Sequence, residues 1–182
     1  MKKIGIFGGT FDPFHNGHST ILRCFVEQCK LDKCFVVPTK CSPFKVTEDK
    51  LYSDIERIDI IEKNIESIPY VELCCYEIDS TEEVSYSVDT VKYFYNIYSN
   101  VELFLLLGYD AVLKFNKWKD YKEILAIAKL VVARRGHFDT VEVEEQKLTN
   151  VLGIGKCILL NNPIIDITST KIRTDIKNGN FG

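Results

Sequence analysis

The chain has 182 residues, of which 46% are hydrophobic and 27% charged, with a formal net charge of −3. That size supports one globular domain with its own core, and the balance excludes wholesale disorder. The slight acidity argues against a nucleic-acid-binding surface, and no run approaches the ~20 apolar residues that span a bilayer.

Met1-Lys2-Lys3 leads straight into a strand-like segment and lacks the apolar stretch of a secretory signal, so a cytoplasmic protein is expected. Ile4 to Phe7 predicts the first strand. The loop Gly8-Gly9-Thr10-Phe11-Asp12-Pro13-Phe14-His15-Asn16-Gly17-His18 follows it. A helix from about Gly17 to Cys29 then carries Ile21, Leu22, Phe25 and Val26 on one face. Cys34 to Val37, closed by Pro38, is a second short strand, and residues 39–45 form a loop. Ser53 and Glu56 make a capping box that opens a helix reaching about Ser67.

Val71 to Tyr76 predicts the third strand and Ser85 to about Tyr98 a helix. Val101 to Leu107, ended by Gly108, is apolar enough to be buried on both faces. A helix from about Lys119 to Ala128 and a buried strand from Leu130 to Ala133 come next. Asp139 to Lys147 is charged surface of unassigned type, Cys157 to Leu160 a last strand, and Thr168 to Lys177 a final helix. This alternation predicts an α/β fold: a Rossmann-like open parallel sheet with helices on both faces. The seven cysteines (Cys24, Cys29, Cys34, Cys41, Cys74, Cys75 and Cys157) contain no CxxC pair and match no zinc spacing. They read as reduced thiols used as small apolar side chains.

Ligands of such sheets bind beyond the carboxyl ends of the strands, where strand order reverses. Five polar segments follow predicted strands there: the first loop, residues 39–45, Gly108-Tyr109-Asp110, Arg134-Arg135-Gly136, and Thr168 to Arg173. In the first loop, glycines permit close backbone approach, and two histidines stand where a helix start would offer its N–H groups to an anion. The arrangement reads as a nucleotide phosphate site. It contains neither GxGxxG nor a Walker A sequence.

The first loop, together with Ile167-Thr168-Ser169-Thr170-Lys171-Ile172-Arg173, resembles the nucleotidyltransferase superfamily with HxGH and ISSTxxR motifs. Within it the chain is most similar to the bacterial nicotinate mononucleotide adenylyltransferases. Pro43-Phe44-Lys45, Ser85-Tyr86-Ser87, Gly108-Tyr109-Asp110 and Trp118-Lys119 extend the likeness over residues 2 to about 179. Two departures stand out: Thr168 where serine is common, and Phe44 where the family usually has histidine. The family usually continues past the last helix, so residues 1–182 read as one nucleotidyltransferase domain with a longer polypeptide left open.

The resemblance implies transfer of AMP from ATP to nicotinate mononucleotide, giving deamido-NAD and pyrophosphate. His15, His18, Lys45 and Arg173 would be the catalytic residues. Gly8, Gly9, Thr10, Phe11, Gly17, Gly108, Asp110, Arg134, Thr168, Ser169 and Thr170 would join the two histidines and Arg173 around ATP. Asp12, Lys45, Tyr86, Ser87, Trp118 and Lys119 would contact the second substrate, with Trp118 stacked on its pyridine ring. Mg²⁺ would be bound through the ATP phosphates, with no metal ligand from the protein. No nucleic acid or membrane partner is expected, and a homo-oligomer is left open. The alternatives are a phosphopantetheine adenylyltransferase, whose family normally lacks the His15 equivalent and the Trp118 region, and a regulatory nucleotide-binding module without catalysis.

Overall fold

The structure, a computed structural model, describes residues 1–44, 50–134, 146–150 and 157–179. Six strands form one sheet: β1 (Lys2–Gly9), β2 (Lys33–Pro38), β3 (Val71–Leu73), β4 (Val101–Gly108), β5 (Ala128–Ala133) and β6 (Ile158–Leu159). Their order is β3-β2-β1-β4-β5-β6. Every adjacent pair is parallel. Strand order therefore reverses between β1 and β4, where the crevice of a doubly wound sheet opens.

The apolar runs follow from burial on both faces. Ile6 lies between Phe35 and Leu105 in register, and all three point into one core with Val91 and Phe94. Its neighbour Phe7 lies between Val36 and Leu106 and points into the opposite core with Leu22, Phe25 and Ile61. The helices are α1 (Asn16–Cys29), α2 (Asp54–Ile65), α3 (Tyr76–Asp79), α4 (Ser87–Ile97), α5 (Tyr109–Val112), α6 (Tyr121–Ile127) and α7 (Ser169–Lys177). Helices α1 and α2 cover the second core, while α4 and α6 cover the first. At Gly5 a Cβ would stand 2.5 Å from Leu31 and 2.8 Å from the Phe25 ring, so glycine lets α1 settle on β1.

The predicted elements are present with shifted ends. The capping box at Ser53 and Glu56 opens α2 as expected. The third strand stops at Leu73 because Tyr76 turns into α3, where its ring stacks on Tyr93 at 4.1 Å. Helix α6 begins at Tyr121, two residues later than predicted, because Asp120 takes a left-handed backbone with φ 48°. Strand β5 starts earlier, at Ala128. Of the charged segment from Asp139 to Lys147, residues 139–145 lie outside the described residues, as does Arg135-Gly136. No helix among the described residues is long and apolar enough to cross a membrane.

Candidate active site

The loop after β1 enters α1 through a reciprocal cap built from both histidines. His15 is the N-cap residue, and its Nδ1 accepts from the Gly17 N–H at 3.1 Å. The His18 Nδ1 in turn accepts from the His15 N–H at 3.2 Å. The rings stack, with centroids 3.8 Å apart. With each Nδ1 acting as acceptor, a neutral imidazole must carry its proton on Nε2. The cap thus sets the tautomer of both rings and makes each Nε2–H a donor.

This geometry corrects one expectation. The Gly17 and His18 N–H groups at the start of α1 are not offered to an anion, because Gly17 donates to the His15 ring and His18 to the His15 carbonyl at 2.8 Å. Gly17 is required sterically, since a Cβ there would stand 2.9 Å from the His15 Cε1. Beneath the histidines lies an aromatic layer. Phe11 adopts a left-handed backbone with φ 47°, and its ring packs 5.1 Å from Phe7, 5.2 Å from Phe14 and edge-on to His18 at 5.1 Å. Phe11 thus supports His18 from below with a buried ring.

Three side-chain donors hold the carbonyls of this loop. Arg57 donates to the Thr10 carbonyl, Arg173 Nη1 to the Asp12 carbonyl at 2.8 Å, and Ser169 Oγ to the Pro13 carbonyl at 3.0 Å. The loop is thereby clamped to α2 on one side and to α7 on the other. Thr168 caps α7 by accepting from the Lys171 N–H at 3.0 Å.

Two cavities open over the reversal point and share Gly8, Gly9, Thr10, Gly108 and Ala111. The larger, about 390 Å³, is lined by His15, Gly17, His18, Arg134, Thr168, Ser169, Thr170 and Arg173. Phe11 and Asp12 also contribute to its wall. The smaller, about 200 Å³, is lined by Thr39, Phe44, Glu77, Ser85, Tyr86, Ser87, Trp118 and Lys119. Gly108 lies between them, and a Cβ there would meet nothing within 4 Å, which leaves room for a ligand against the backbone. Trp118 is half-buried, 5.1 Å from Phe115 and 6.5 Å from Phe44. Tyr86 precedes α4 without a capping hydrogen bond from its side chain, and Lys119 Nζ lies 4.3 Å over its ring.

The sequence-derived residues thus separate into two groups facing one crevice. Some stand apart from that picture. Asp110 is exposed in the first turn of α5 and lines neither cavity. Asp12 is buried, and its two oxygens accept from the Leu51 and Tyr52 N–H groups at 2.8 and 2.9 Å. Its carboxylate ties the loop to the approach to α2. Lys45 lies outside the described residues.

Three residues escaped the sequence reading. Asn162 is buried and holds Arg134, accepting from its N–H at 2.8 Å and donating to its carbonyl at 3.1 Å. Arg57 is fully buried, with Nη2 reaching the Thr39 carbonyl at 3.0 Å and Asp54 at 2.7 Å. Glu77 is buried and accepts from the Thr90 hydroxyl at 2.6 Å. Burial pushes its carboxyl above the ordinary range, against the lowering effect of the Thr90 hydrogen bond. The signal for Arg57 was its place on the apolar stripe of α2, one and two turns before the buried Ile61 and Ile65.

A sheet of this order with paired cavities at its reversal point is the architecture of a nucleotide-binding α/β protein. The family model described as cytidylyltransferase-like matches residues 6–175. A Clostridium tetani protein named "Probable nicotinate-nucleotide adenylyltransferase" is 35% identical over 98% of this chain and 89% of its own length. One of the same name from Dictyoglomus thermophilum is 36% identical over 97% of this chain and 88% of its own. The Plasmodium falciparum nicotinic acid mononucleotide adenylyltransferase complexed with NaAD shares the fold, with a TM-score of 0.75 at 21% identity over 96% of this chain and 83% of that one. The chain belongs to the cytidylyltransferase-like family and, within it, to the nicotinate-nucleotide adenylyltransferases.

Proposed function

We propose that the chain transfers AMP from ATP to the 5′-phosphate of nicotinate mononucleotide, releasing pyrophosphate and forming deamido-NAD. The observation that carries this reading is the reciprocal histidine cap, which sets both imidazoles in the wall of the larger cavity. The attacking group is already a phosphate, so no side-chain nucleophile is needed. Catalysis then comes from alignment and from donors aimed where charge develops on the α-phosphate. His15 and His18 donate to α- and β-phosphate oxygens, and Arg173, joined by Lys45, holds the pyrophosphate. Thr10, Ser169 and Thr170 add hydroxyl donors, and adenosine lies along Gly108 toward Arg134. Asp12 contributes by holding the loop in shape rather than by touching a substrate.

The smaller cavity takes the pyridine nucleotide. Trp118 stacks on the ring, and the start of α4 at Tyr86 and Ser87 meets the carboxylate, an end of a helix that favours an anion. Magnesium carried by the ATP phosphates suits the larger cavity, whose side chains are mainly donors while the Asp12 carboxylate is occupied within the chain. Carried on the phosphates in that way, Mg²⁺ would supply charge neutralisation there. The relatives' names support an enzyme of NAD biosynthesis, which we place in the cytoplasm.

The test is a pyrophosphate-release assay with ATP and one of nicotinate mononucleotide, nicotinamide mononucleotide or phosphopantetheine. The expected result is turnover with the first, much slower turnover with the second and none with the third. Equal rates with acid and amide would overturn the carboxylate pocket, and turnover with phosphopantetheine alone would overturn the reading.

A further inference from the structure

A lone exposed phenylalanine needs no explanation, but Phe44, 56% exposed, stands across a cavity from the chain's single tryptophan. The Phe44 and Trp118 rings line the same smaller cavity, with centroids 6.5 Å apart and planes inclined at 38°. Phe44 has no part in the wall of the larger cavity. Atoms of stacked rings in contact lie about 3.5 Å apart, so a flat ring held between two others needs about 7 Å. The observed gap falls about half an ångström short of that, too wide for the two rings to stack face to face and close to what a third ring requires.

The two walls are held differently. Trp118 is the fixed one: its backbone N–H donates to the Phe115 carbonyl at 3.0 Å, and its ring lies 5.1 Å from that of the fully buried Phe115. Phe44 is carried on a turn, where its backbone N–H donates to the Ser42 hydroxyl at 3.3 Å. The loop leading into that turn is tied to the approach to α4. The Ser85 N–H donates to the Cys41 carbonyl at 2.9 Å, and the Lys40 N–H donates to the Ser85 hydroxyl at 3.3 Å. Ser85 immediately precedes Tyr86 and Ser87, the segment assigned above to the pyridine carboxylate. The loop that carries Phe44 and the segment that meets the carboxylate are therefore fastened together, and the exposed Phe44 ring has room to turn parallel to Trp118.

We propose that Phe44 and Trp118 clasp the pyridine ring of the acceptor from its two faces, and that Phe44 thereby makes this site selective for a flat, positively charged ring. The nitrogen of a pyridine mononucleotide carries the ribose and is quaternary, so the ring bears a positive charge. The faces of tryptophan and phenylalanine are negative, and each attracts such a cation. A phenylalanine ring never takes a proton, so no second positive charge can arise on that wall. The inference rests on the assignment of nicotinate mononucleotide to the smaller cavity.

Fluorescence reads the clasp without turnover, because Trp118 is the chain's only indole and an electron-poor pyridinium stacked on an indole quenches its emission. Nicotinate mononucleotide is titrated into the parent, Phe44→Tyr, Phe44→Leu and Phe44→Ala, with calorimetry and a thermal melt on each. The parent should bind with quenching, and Phe44→Tyr should keep its Kd within about twofold because the ring is retained. Phe44→Leu, which covers the ligand without a π face, and Phe44→Ala should each raise the Kd at least about 5-fold while remaining folded. The Kd of a non-hydrolysable ATP analogue should stay within about twofold of the parent's in all three, since Phe44 lines only the smaller cavity. Parent-like binding by Phe44→Leu or Phe44→Ala would overturn the clasp, as would an equal loss of affinity for the ATP analogue. A parent that binds nicotinate mononucleotide in the calorimeter without quenching would place the ring away from Trp118 and overturn the clasp alone. A parent that does not bind it at all would overturn the substrate assignment, and the clasp with it.

Discussion

Gly17→Ala tests the histidine cap with a single methyl group. The added Cβ would stand 2.9 Å from His15 Cε1 and 3.0 Å from its Nδ1, tighter than the 3.4 Å at which ordinary contact begins. The imidazole must swing away, and the 3.1 Å bond from the Gly17 N–H to Nδ1 goes with it. Loss of a cap costs about 1 kcal/mol, while alanine in place of glycine in a helix returns up to about 1 kcal/mol. Stability should therefore change by no more than about 1 kcal/mol. Activity should not escape so lightly. A re-aimed His15 removes a donor to the developing charge, a loss of about 10²–10³-fold in kcat. Pyrophosphate release at saturating substrates, with a thermal melt of the same preparation, reads both quantities. A variant that melts normally and keeps kcat within about threefold of the parent would refute the argument that Gly17 sets the His15 ring.

Three further outcomes follow from the same geometry. His18→Ala should lower kcat by at least ~10²-fold with a modest change in KM, as measured by deamido-NAD formation, because its Nε2–H acts mainly in the transition state. Trp118→Ala should raise KM for nicotinate mononucleotide by about 10-fold, roughly 1.4 kcal/mol of lost stacking and burial, with little change in KM for ATP. Glu77 carries a carboxyl pushed above its ordinary value of 4.5, chiefly by burial. The folded chain therefore keeps this proton to higher pH than the unfolded chain, so its contribution is full below the unfolded value and is lost as pH rises through the folded one. Chemical denaturation between about pH 4 and pH 8 should show a shallower loss of stability with rising pH in Glu77→Gln than in the parent. Equal slopes would assign that pH dependence to other groups.

How much of this was legible in the sequence depends on distance along the chain. The loop from Gly8 to His18 is contiguous, so its spacing alone announces two imidazoles three residues apart at a helix start. Strand runs such as Val101 to Leu107 declare burial on both faces without help from elsewhere. What could not be read was which polar group meets which across the fold. Arg57 looks like one more charge in the segment Asp54-Ile55-Glu56-Arg57, and only the distant carbonyls of Thr10 and Thr39 make it a core residue. Asp12 looked like a ligand group because it sits among them, until the Leu51 and Tyr52 N–H groups claim both its oxygens. The tautomer of the histidines was likewise invisible, because it depends on ring orientation and not on spacing.

The central claim is that two capped imidazoles, each with its proton on Nε2, grip the phosphates of ATP. Long-range nitrogen–proton correlation spectra of the ¹⁵N-labelled chain test it directly. Nε2–H signals are expected for the neutral imidazoles of His15 and His18, with large shifts of both Nε2 resonances when a non-hydrolysable ATP analogue is added. Nδ1–H tautomers, or resonances that stay in place at saturating analogue, would contradict it.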